Sequence, residues 1–321
     1  MKRLKEYSHY NFIKTPIVCL EKYSSNKNLY AKLEGNNLNG STKSRTAYFI
    51  FKDIVDKRNV KNIVESSSGN LGLSLGYFAN ELGYNFLCLV DQTVPEQKIK
   101  QLRDANIRYE MVSLGNFPDF RSARIAYAQA LDSHADWFWT NQYGNMANEQ
   151  AHYITTGPEL VEQFNGQIDF FVCAVGSGGT ISGTGRYLKE NLDCTIVAVE
   201  PKGSTIFGGE PSKYLTAGSG LSYPSKVLMK NIFLIDYYVK VEDSLSIQAC
   251  MDVKKMEGLS VGITTGSVLY AAHCLAEQYP TKNIVCISPD GGQLYQDIFD
   301  NYKIDGCEHE FKLLPVRKII K

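Results

Sequence analysis

Short apolar runs alternate with longer stretches of helical periodicity through most of the chain. In "KNIVESSSG" a strand runs out into a polar loop at residues 65–69, and "NLGLSLGYFANELG" then spaces its apolar residues at helical intervals. "YNFLCLVDQ" predicts a strand, "VPEQKIKQLRDAN" a helix and "IRYEMVS" a strand. A helix through "FRSARIAYAQALDSH" precedes the strand "DWFWTNQYG". The pattern restarts with the strand "IDFFVCAVGSGG", the helix "TISGTGRYLKEN" and the strand "CTIVAVEP". Later come "DYYVKVED", the helices "SLSIQACMDVKKMEG" and "TGSVLYAAHCLAEQY", and the strand "KNIVCISPDGG". Continuous apolar strands separated by helices predict parallel sheets covered on both faces. Two such series predict two α/β domains with a break near residues 145–155. Residues 208–226, "GGEPSKYLTAGSGLSYPSK", are predicted to form a long mobile loop.

In open parallel sheets, ligands sit beyond the carboxyl ends of the strands. Three polar, glycine-rich loops fall there: "ESSSGNLG", "VGSGGTISG" and "SPDGGQLY". In the second, a buried strand runs into Gly176, Ser177, Gly178, Gly179 and Thr180 and then a helix. Glycines let backbone N–H groups converge, the helix N-terminus adds partial positive charge, and two hydroxyls complete an anion cradle. The alternative is a tight strand-to-helix turn that holds nothing. A dinucleotide site fails on spacing. After Gly176 and Gly178 the third glycine of GxGxxG falls on Ile181, although Glu200 ends the next strand where a ribose-binding acid would stand. GxxxxGK[ST] is absent too, so a phosphate monoester is the better-fitting anion. "ESSSGNLG" offers hydroxyls at 66–68, then Gly69 and Asn70, at the head of a helix. It suits a carboxylate, with Asn70 toward a phenolic oxygen, or it simply caps the helix.

"NNLNGSTKSRTAYFI", residues 36–50, sets Lys43 among small hydroxyl and glycine residues just ahead of an apolar run. An unpaired ammonium is costly to bury, and a surface lysine needs no such setting. A lysine, a phosphate cradle and a carboxylate cradle have one joint explanation. Lys43 forms a Schiff base with pyridoxal 5′-phosphate, and an amino acid exchanges onto it.

Composition leaves that reading standing. With 321 residues, 44 % of them hydrophobic and 21 % charged, the chain is an ordinary globular protein large enough for two domains. Lys plus Arg and Asp plus Glu both number 34, which gives no support for a nucleic-acid or membrane-surface partner. The basic N-terminus lacks the apolar stretch of a signal peptide, and no run approaches the roughly 18 apolar residues of a membrane span, so a cytoplasmic location is expected. Eight cysteines without CxxC pairs are expected as free, mostly buried thiols. Cys307 and His309 lie close together, but two ligands make no metal site.

Taken together, these motifs resemble those of the cysteine synthase and cystathionine β-synthase family of fold-type II pyridoxal-phosphate enzymes, across nearly the whole chain. The family's lysine segment, roughly N-P-x-G-S-x-K-D-R-x-A, is matched by "NLNGSTKSRTA". Its E-x-T-S-G-N-x-G is matched by "ESSSGNLG" and its G-x-G-G-T-I-x-G by "GSGGTISG". "NQYGNMANEQAHYITTGPEL" is similar to the family's glutamine-bearing segment with its T-G-P-E, and "EGLSVGITTGS" to E-G-I-x-A-G-I-S-S-G.

The resemblance implies two three-layer α/β domains with mainly parallel sheets, as in the tryptophan synthase β chain. A large cofactor-binding domain would comprise residues 1–45 and 151–321. A small mobile domain of residues 46–150 would close over the amino acid, and the enzyme would be a homodimer. Carried over by residue, Lys43 is the Schiff-base lysine and the acid–base group at Cα. Gly176, Ser177, Gly178, Gly179 and Thr180 hold the cofactor phosphate, and Asn70 meets the ring hydroxyl. Ser67, Ser68, Gly69 and Gln142 grip the substrate carboxylate. In the last loop, L-P-D-S-G-E-R-Y becomes "SPDGGQLY", so Gly291 stands where the family's serine faces the pyridine nitrogen. Water, a neighbouring hydroxyl or nothing must serve there.

Further departures put the substrates in doubt. "SR" follows Lys43 in place of D-R, Leu71 replaces a threonine, and "KYLTAGSGLSYPSK" replaces G-I-G-A-G-F-I-P. "ESSSGNLG", "NQYGNMANEQAHY" and "AVEPKGSTIFGGEP" are similar to the subgroup that joins O-phosphoserine to glutamate in siderophore biosynthesis. The expected reaction is β-replacement on an O-activated L-serine, O-phospho- or O-acetyl-L-serine, through an aminoacrylate, with an amine such as L-glutamate as nucleophile. Sulfide or another thiol as nucleophile, dehydratase-like β-elimination, and an inactive binding protein on the same scaffold are the alternatives. A phosphate leaving group wants an arginine, for which Arg45, Arg121 and Arg124 are candidates alongside surface or interface roles. His152 and Tyr153 either face the second substrate or pack at the domain hinge.

Overall fold

The computed structural model describes residues 14–57, 60–67, 69–94, 96–216, 218–302 and 311–316. The chain starts with an antiparallel pair, β1 (Ile17–Cys19) and β2 (Leu29–Leu33), and a polar segment then leads into α1 (Lys43–Lys57). Next come β3 (Asn62–Glu65), α2 (Asn70–Leu82), β4 (Asn85–Val90), α3 (Glu96–Asp104), β5 (Arg108–Met111), α4 (Phe120–Asp132) and β6 (Trp137–Trp139). Two helices, α5 (Ala147–Ile154) and α6 (Thr156–Gln163), precede β7 (Phe170–Ala174), α7 (Gly179–Asn191) and β8 (Thr195–Pro201). The remainder is α8 (Lys226–Asn231), β9 (Tyr237–Val241), α9 (Asp243–Glu257), α10 (Ile263–Gln278), β10 (Ile284–Ser288), α11 (Gln296–Asn301) and β11 (Leu314–Pro315).

These elements form two compact units, one containing Lys43–Asn148 and the other Lys14–Thr42 with the chain from Glu149 onward. Among the described residues the sheet of the first unit runs β5-β4-β3-β6, all parallel. Val64, Leu87 and Leu89 of that sheet pack with Ala123 and Ala128 of α4. α1 lies on α2 through Phe78, whose ring centroid is 6.0 Å from that of Tyr48 and 6.2 Å from that of Phe51. α2 stops at Gly83, which takes the left-handed conformation (φ 73°) that ends a helix without Cβ strain.

The second unit's sheet, among the described residues, runs β1-β2-β10-β7-β8-β9-β11. Its interior is parallel, and the two outermost pairs are antiparallel. All five residues of β10 are buried, because the strand is flanked on both sides and covered by α10. That is why it reads as an unbroken apolar run. Burial of Ile284, Val285 and Ile287 contributes about 1.5–3 kcal/mol each.

The described residues of 208–225 contain neither helix nor strand, yet they are tied down within the second unit. Leu215 N donates to Asp243 Oδ2 at 2.9 Å, Gly220 N to Val175 O at 2.7 Å and Ser225 Oγ to Ser177 O at 2.6 Å. The described cysteines are all free thiols. Burial pushes those of Cys88, Cys194, Cys250 and Cys286 up to about 12, so they stay neutral. Cys307 and His309 lie outside the described residues. Among those described, no helix is long and apolar enough to cross a membrane.

Candidate active site

In the second unit β2, β10 and β7 are parallel neighbours, so the loops after them emerge side by side. The loop after β7 is the sequence-predicted cradle. Gly178 has φ 84°, and a Cβ there would lie 2.7 Å from Leu228 Cβ; a Cβ on Gly176 would lie 3.2 Å from Gly218 O. Glycine is therefore required by conformation at one position and favoured by close packing at the other. No side chain caps α7. Its first amides have no intrahelical acceptor, and together with the helix dipole they suit an anion.

Thr180, on the first turn of α7, is held by His152, for which the sequence left a substrate-facing and a packing role open. His152 is fully buried, with Nε2 3.2 Å from Thr180 Oγ1 and Nδ1 2.9 Å from Thr156 Oγ1. Tyr153 donates to Glu190 Oε2 at 2.6 Å and lies under the Arg186 guanidinium, 3.7 Å from its ring centroid. Both side chains take part in the packing of α5 on α7, where a Cβ on Gly183 would meet Glu149 O at 2.1 Å.

Buried hydroxyls without a protein partner among the described residues include Ser219 and Thr264 beside this loop and Ser41 and Thr42 beside the loop after β10. Ser219 follows Gly218, which presses on Gly176, and a Cβ on Gly218 would come 2.6 Å from Thr264 Oγ1. Buried hydroxyls without partners are costly, so polar groups of a ligand have a place here. Uncapped amides, a required glycine and unsatisfied hydroxyls fit a phosphorylated polar cofactor.

The segment that delivers Lys43 is pinned to the loop after β10. Thr42 N donates to Pro289 O at 2.9 Å, Ser41 bridges Asp290, and a Cβ on Gly35 would stand 3.2 Å from Gly291 N. Lys43 itself opens α1 in the first unit, with its side chain half-buried.

In the first unit β3 and β6 are parallel neighbours, and their loops share one buried acid. Glu65, the last residue of β3, accepts from Ser66 N at 2.7 Å, Gln142 N at 3.2 Å and the Thr140 hydroxyl. It thereby fixes the serine loop and the Gln142 loop to each other. Ser67 O accepts the Cys88 thiol at 2.8 Å, and Gly72 lets α2 press on that carbonyl. The N-cap of α2 is Gly69, which has no side chain to cap the first amides. Ser68 lies outside the described residues.

Asn70 Oδ1 accepts from Lys98 Nζ at 3.4 Å. Gln142 is buried, and its carbonyl accepts from Asn148 Nδ2 at 2.9 Å; Asn148 Oδ1 in turn accepts from Thr46 of α1 at 3.0 Å. Within this unit the helix that starts at Lys43 is thus tied to the Gln142 loop. Arg124 pairs with Asp91 and reaches Ser66 Oγ at 3.2 Å, while Arg121 lies 4.4 Å from the Tyr143 ring centroid. Arg45 is completely buried. Sequence reasoning missed Glu65 and Lys98. An acid ending a buried strand was the available signal for the first, and a separation of 28 positions hid the second.

Glu65→Gln is expected to raise the KM for the amino-acid substrate about tenfold and to move kcat less. Glutamine offers one acceptor oxygen where the three donors use two, which leaves a buried N–H unsatisfied at about 1–3 kcal/mol. Burial raises the Glu65 pKa. A raised carboxyl contributes stability below its unfolded-state value and loses it as pH rises through its folded-state value. Wild type should therefore lose stability relative to the variant over that window. Urea unfolding at about pH 5 and about pH 8 measures the change, and a pH-independent gap contradicts it.

The chain belongs to the family of pyridoxal-phosphate dependent enzymes, whose family model matches residues 10–290. Among solved structures it is similar to an O-ureido-L-serine synthase, with 28 % identity and a TM-score of 0.83 over 91 % of this chain and 94 % of that one. It is also similar to a hydrogen sulfide-producing enzyme from Fusobacterium nucleatum, with 28 % identity and a TM-score of 0.77 over 83 % of this chain and 89 % of that one. The two-unit α/β fold with mostly parallel sheets and the cofactor expected from the sequence both hold. The protein is a pyridoxal-phosphate dependent enzyme of the cysteine synthase type.

Proposed function

We propose that this enzyme replaces the β-substituent of an O-activated L-serine, O-phospho- or O-acetyl-L-serine, with an amine nucleophile, L-glutamate being favoured. One observation carries the reading: each unit presents an uncapped helix start among polar side chains at the carboxyl ends of adjacent strands. The set in the second unit suits a phosphate and the set in the first a carboxylate. The O-ureido-L-serine synthase neighbour, named for a serine derivative substituted at its side-chain oxygen, supports chemistry at Cβ.

In this reading Gly176, Ser177, Gly178, Gly179 and Thr180 hold the cofactor phosphate, Asn70 meets the ring hydroxyl and the Gly291 loop faces the ring nitrogen. Ser67, Ser68, Gly69 and Gln142 grip the substrate carboxylate. The bound cofactor supplies an electron sink for the pair left at Cα. Lys43 takes the Cα proton on its ε-amino nitrogen and returns it after the exchange at Cβ. Between those transfers the leaving group departs from Cβ with its bonding pair, and the nucleophile's lone pair adds there. Arg121 and Arg124, beside the two carboxylate-holding loops, favour an anionic leaving group such as phosphate. The resemblance to the siderophore subgroup favours glutamate. A homodimer acting on small amino acids belongs to the same reading. Sulfide as nucleophile is the second reading, favoured by the hydrogen sulfide-producing neighbour.

Visible spectra of the holoenzyme, titrated separately with O-phospho-L-serine and O-acetyl-L-serine, test this. A new long-wavelength band with phosphoserine that glutamate then discharges is the expected result. Discharge by sulfide alone selects the second reading, and no response to either serine ester removes both.

A further inference from the structure

We infer that the carboxamide of Gln293 replaces the hydroxyl missing at position 291 and is the side chain that meets the cofactor's ring nitrogen. β10 ends between β2 and β7, so the residues after it lie beside the segment that delivers Lys43 and beside the anion cradle. Gly291 has φ −88° and ψ 166°, an extended backbone open to any residue, so conformation does not call for glycine. Space does. A Cβ on Gly291 would stand 2.3 Å from Gln293 Oε1, 3.2 Å from its Cδ and 3.4 Å from its Nε2. The carboxamide, two residues along the chain, fills the volume into which a side chain at 291 would project.

Two neighbouring polar side chains have hydrogen-bond partners of their own, Asp290 through Oδ2 and Ser288 through Oγ. The Asp290 carboxylate lies against Gly262 at the start of α10 and accepts the Tyr295 hydroxyl at 3.4 Å. Ser288 Oγ pairs with Thr265 Oγ1 at 3.1 Å. The rival is the buried hydroxyl of Ser41, which has no protein partner among the described residues. Gln293 is exposed and makes no hydrogen bond among the described residues, so its amide is available to a ligand.

A carboxamide donates an N–H to an unprotonated pyridine nitrogen and, unlike a carboxylate, brings no charge to hold a proton there. The ring stays neutral and stores less negative charge, which suits prompt departure of a Cβ leaving group. The inference rests on the reading above, in which the loop after β10 faces the ring.

The test uses the reconstituted holoenzyme and reads cofactor affinity and the visible band across pH. Gln293→Leu, which keeps the bulk and removes the amide, is expected to weaken cofactor binding about five- to tenfold and to shift the band. Gly291→Ser combined with Gln293→Ala, which vacates the volume the serine enters, should restore both, whereas Gln293→Ala alone should not. If Gln293→Leu leaves affinity and band unchanged while Ser41→Ala alters them, Ser41 is the partner and the inference falls. It falls equally if neither substitution has an effect while Lys43→Ala abolishes the band. If Lys43→Ala also leaves the band in place, the functional reading itself fails.

Discussion

Lys43→Ala should lower kcat by at least about 10³-fold and remove covalent attachment of the cofactor, while the protein folds as before. The lysine is a poor choice for stability alone. It opens α1, where the positive end of the helix dipole disfavours a cation, and alanine is a better helix former. Thermal unfolding of the apoprotein should be unchanged or slightly raised. In the proposed reading catalysis loses the group that takes and returns the Cα proton from a fixed position, and a free base in solution is a weak substitute for a positioned one. A small primary amine added at high concentration should recover part of the rate, with a pH dependence following that amine. Product release by chromatography, beside the visible spectrum, measures both. A variant that keeps the band and turns over within about twofold of wild type would remove Lys43 from the chemistry.

The parts of the fold legible in the sequence were those with one dominant physical cause. β7, β8 and β10 read as strands because burial on both faces leaves no polar alternation. The strand-to-helix turn at 176–180 was legible because strand, glycines and helix start follow one another without a gap. Short or interrupted elements were not legible. β1 has three residues at a sheet edge, and α5 and α6 are separate eight-residue helices parted at Thr155. Neither gives a period long enough to read.

Roles set by tertiary proximity were also hidden. Glu200 stands where a ribose-binding acid would, yet it pairs with Lys240 at 2.8 Å and accepts from Ser204 Oγ at 2.6 Å and Ile206 N at 3.1 Å. It fastens the segment after β8 rather than a ligand. His152 illustrates the same point from the other side, because its two hydroxyl partners lie 4 and 28 residues away and only the packing of α5 on α7 joins them. The Gly291 departure was visible as a missing hydroxyl, while what occupies its space needed the folded turn.

Gly178→Ala should damage both the fold and the cofactor site, and Gly185→Ala, seven residues further on inside α7, should do neither. At Gly178 the backbone has φ 84°, where a side chain costs about 1–2 kcal/mol. The new Cβ would also stand 2.7 Å from Leu228 Cβ and 3.1 Å from Leu228 Cα, atoms fixed to backbone that cannot swing aside. Overpacking of that kind adds about 1–3 kcal/mol, and the melting temperature should fall by roughly 5–15 °C. Leu228 is not free to retreat. Its N–H donates to Ser225 Oγ at 3.0 Å, and that hydroxyl donates to Ser177 O at 2.6 Å, so the start of α8 is bolted to the cradle itself. Relief of the clash must therefore shift the amides proposed to hold the phosphate, and cofactor affinity should drop by more than about tenfold. At Gly185 the nearest atom to a new Cβ is Ile196 Cγ2 at 3.5 Å, an ordinary contact, and replacing a helical glycine by alanine there gains about 0.5–1 kcal/mol. Two glycine-to-alanine changes in one loop and helix thus separate the demand for an open cradle from the general preference of helices for alanine. Equal cofactor affinity in the two variants would show that the geometry at Gly178 does not govern the phosphate site.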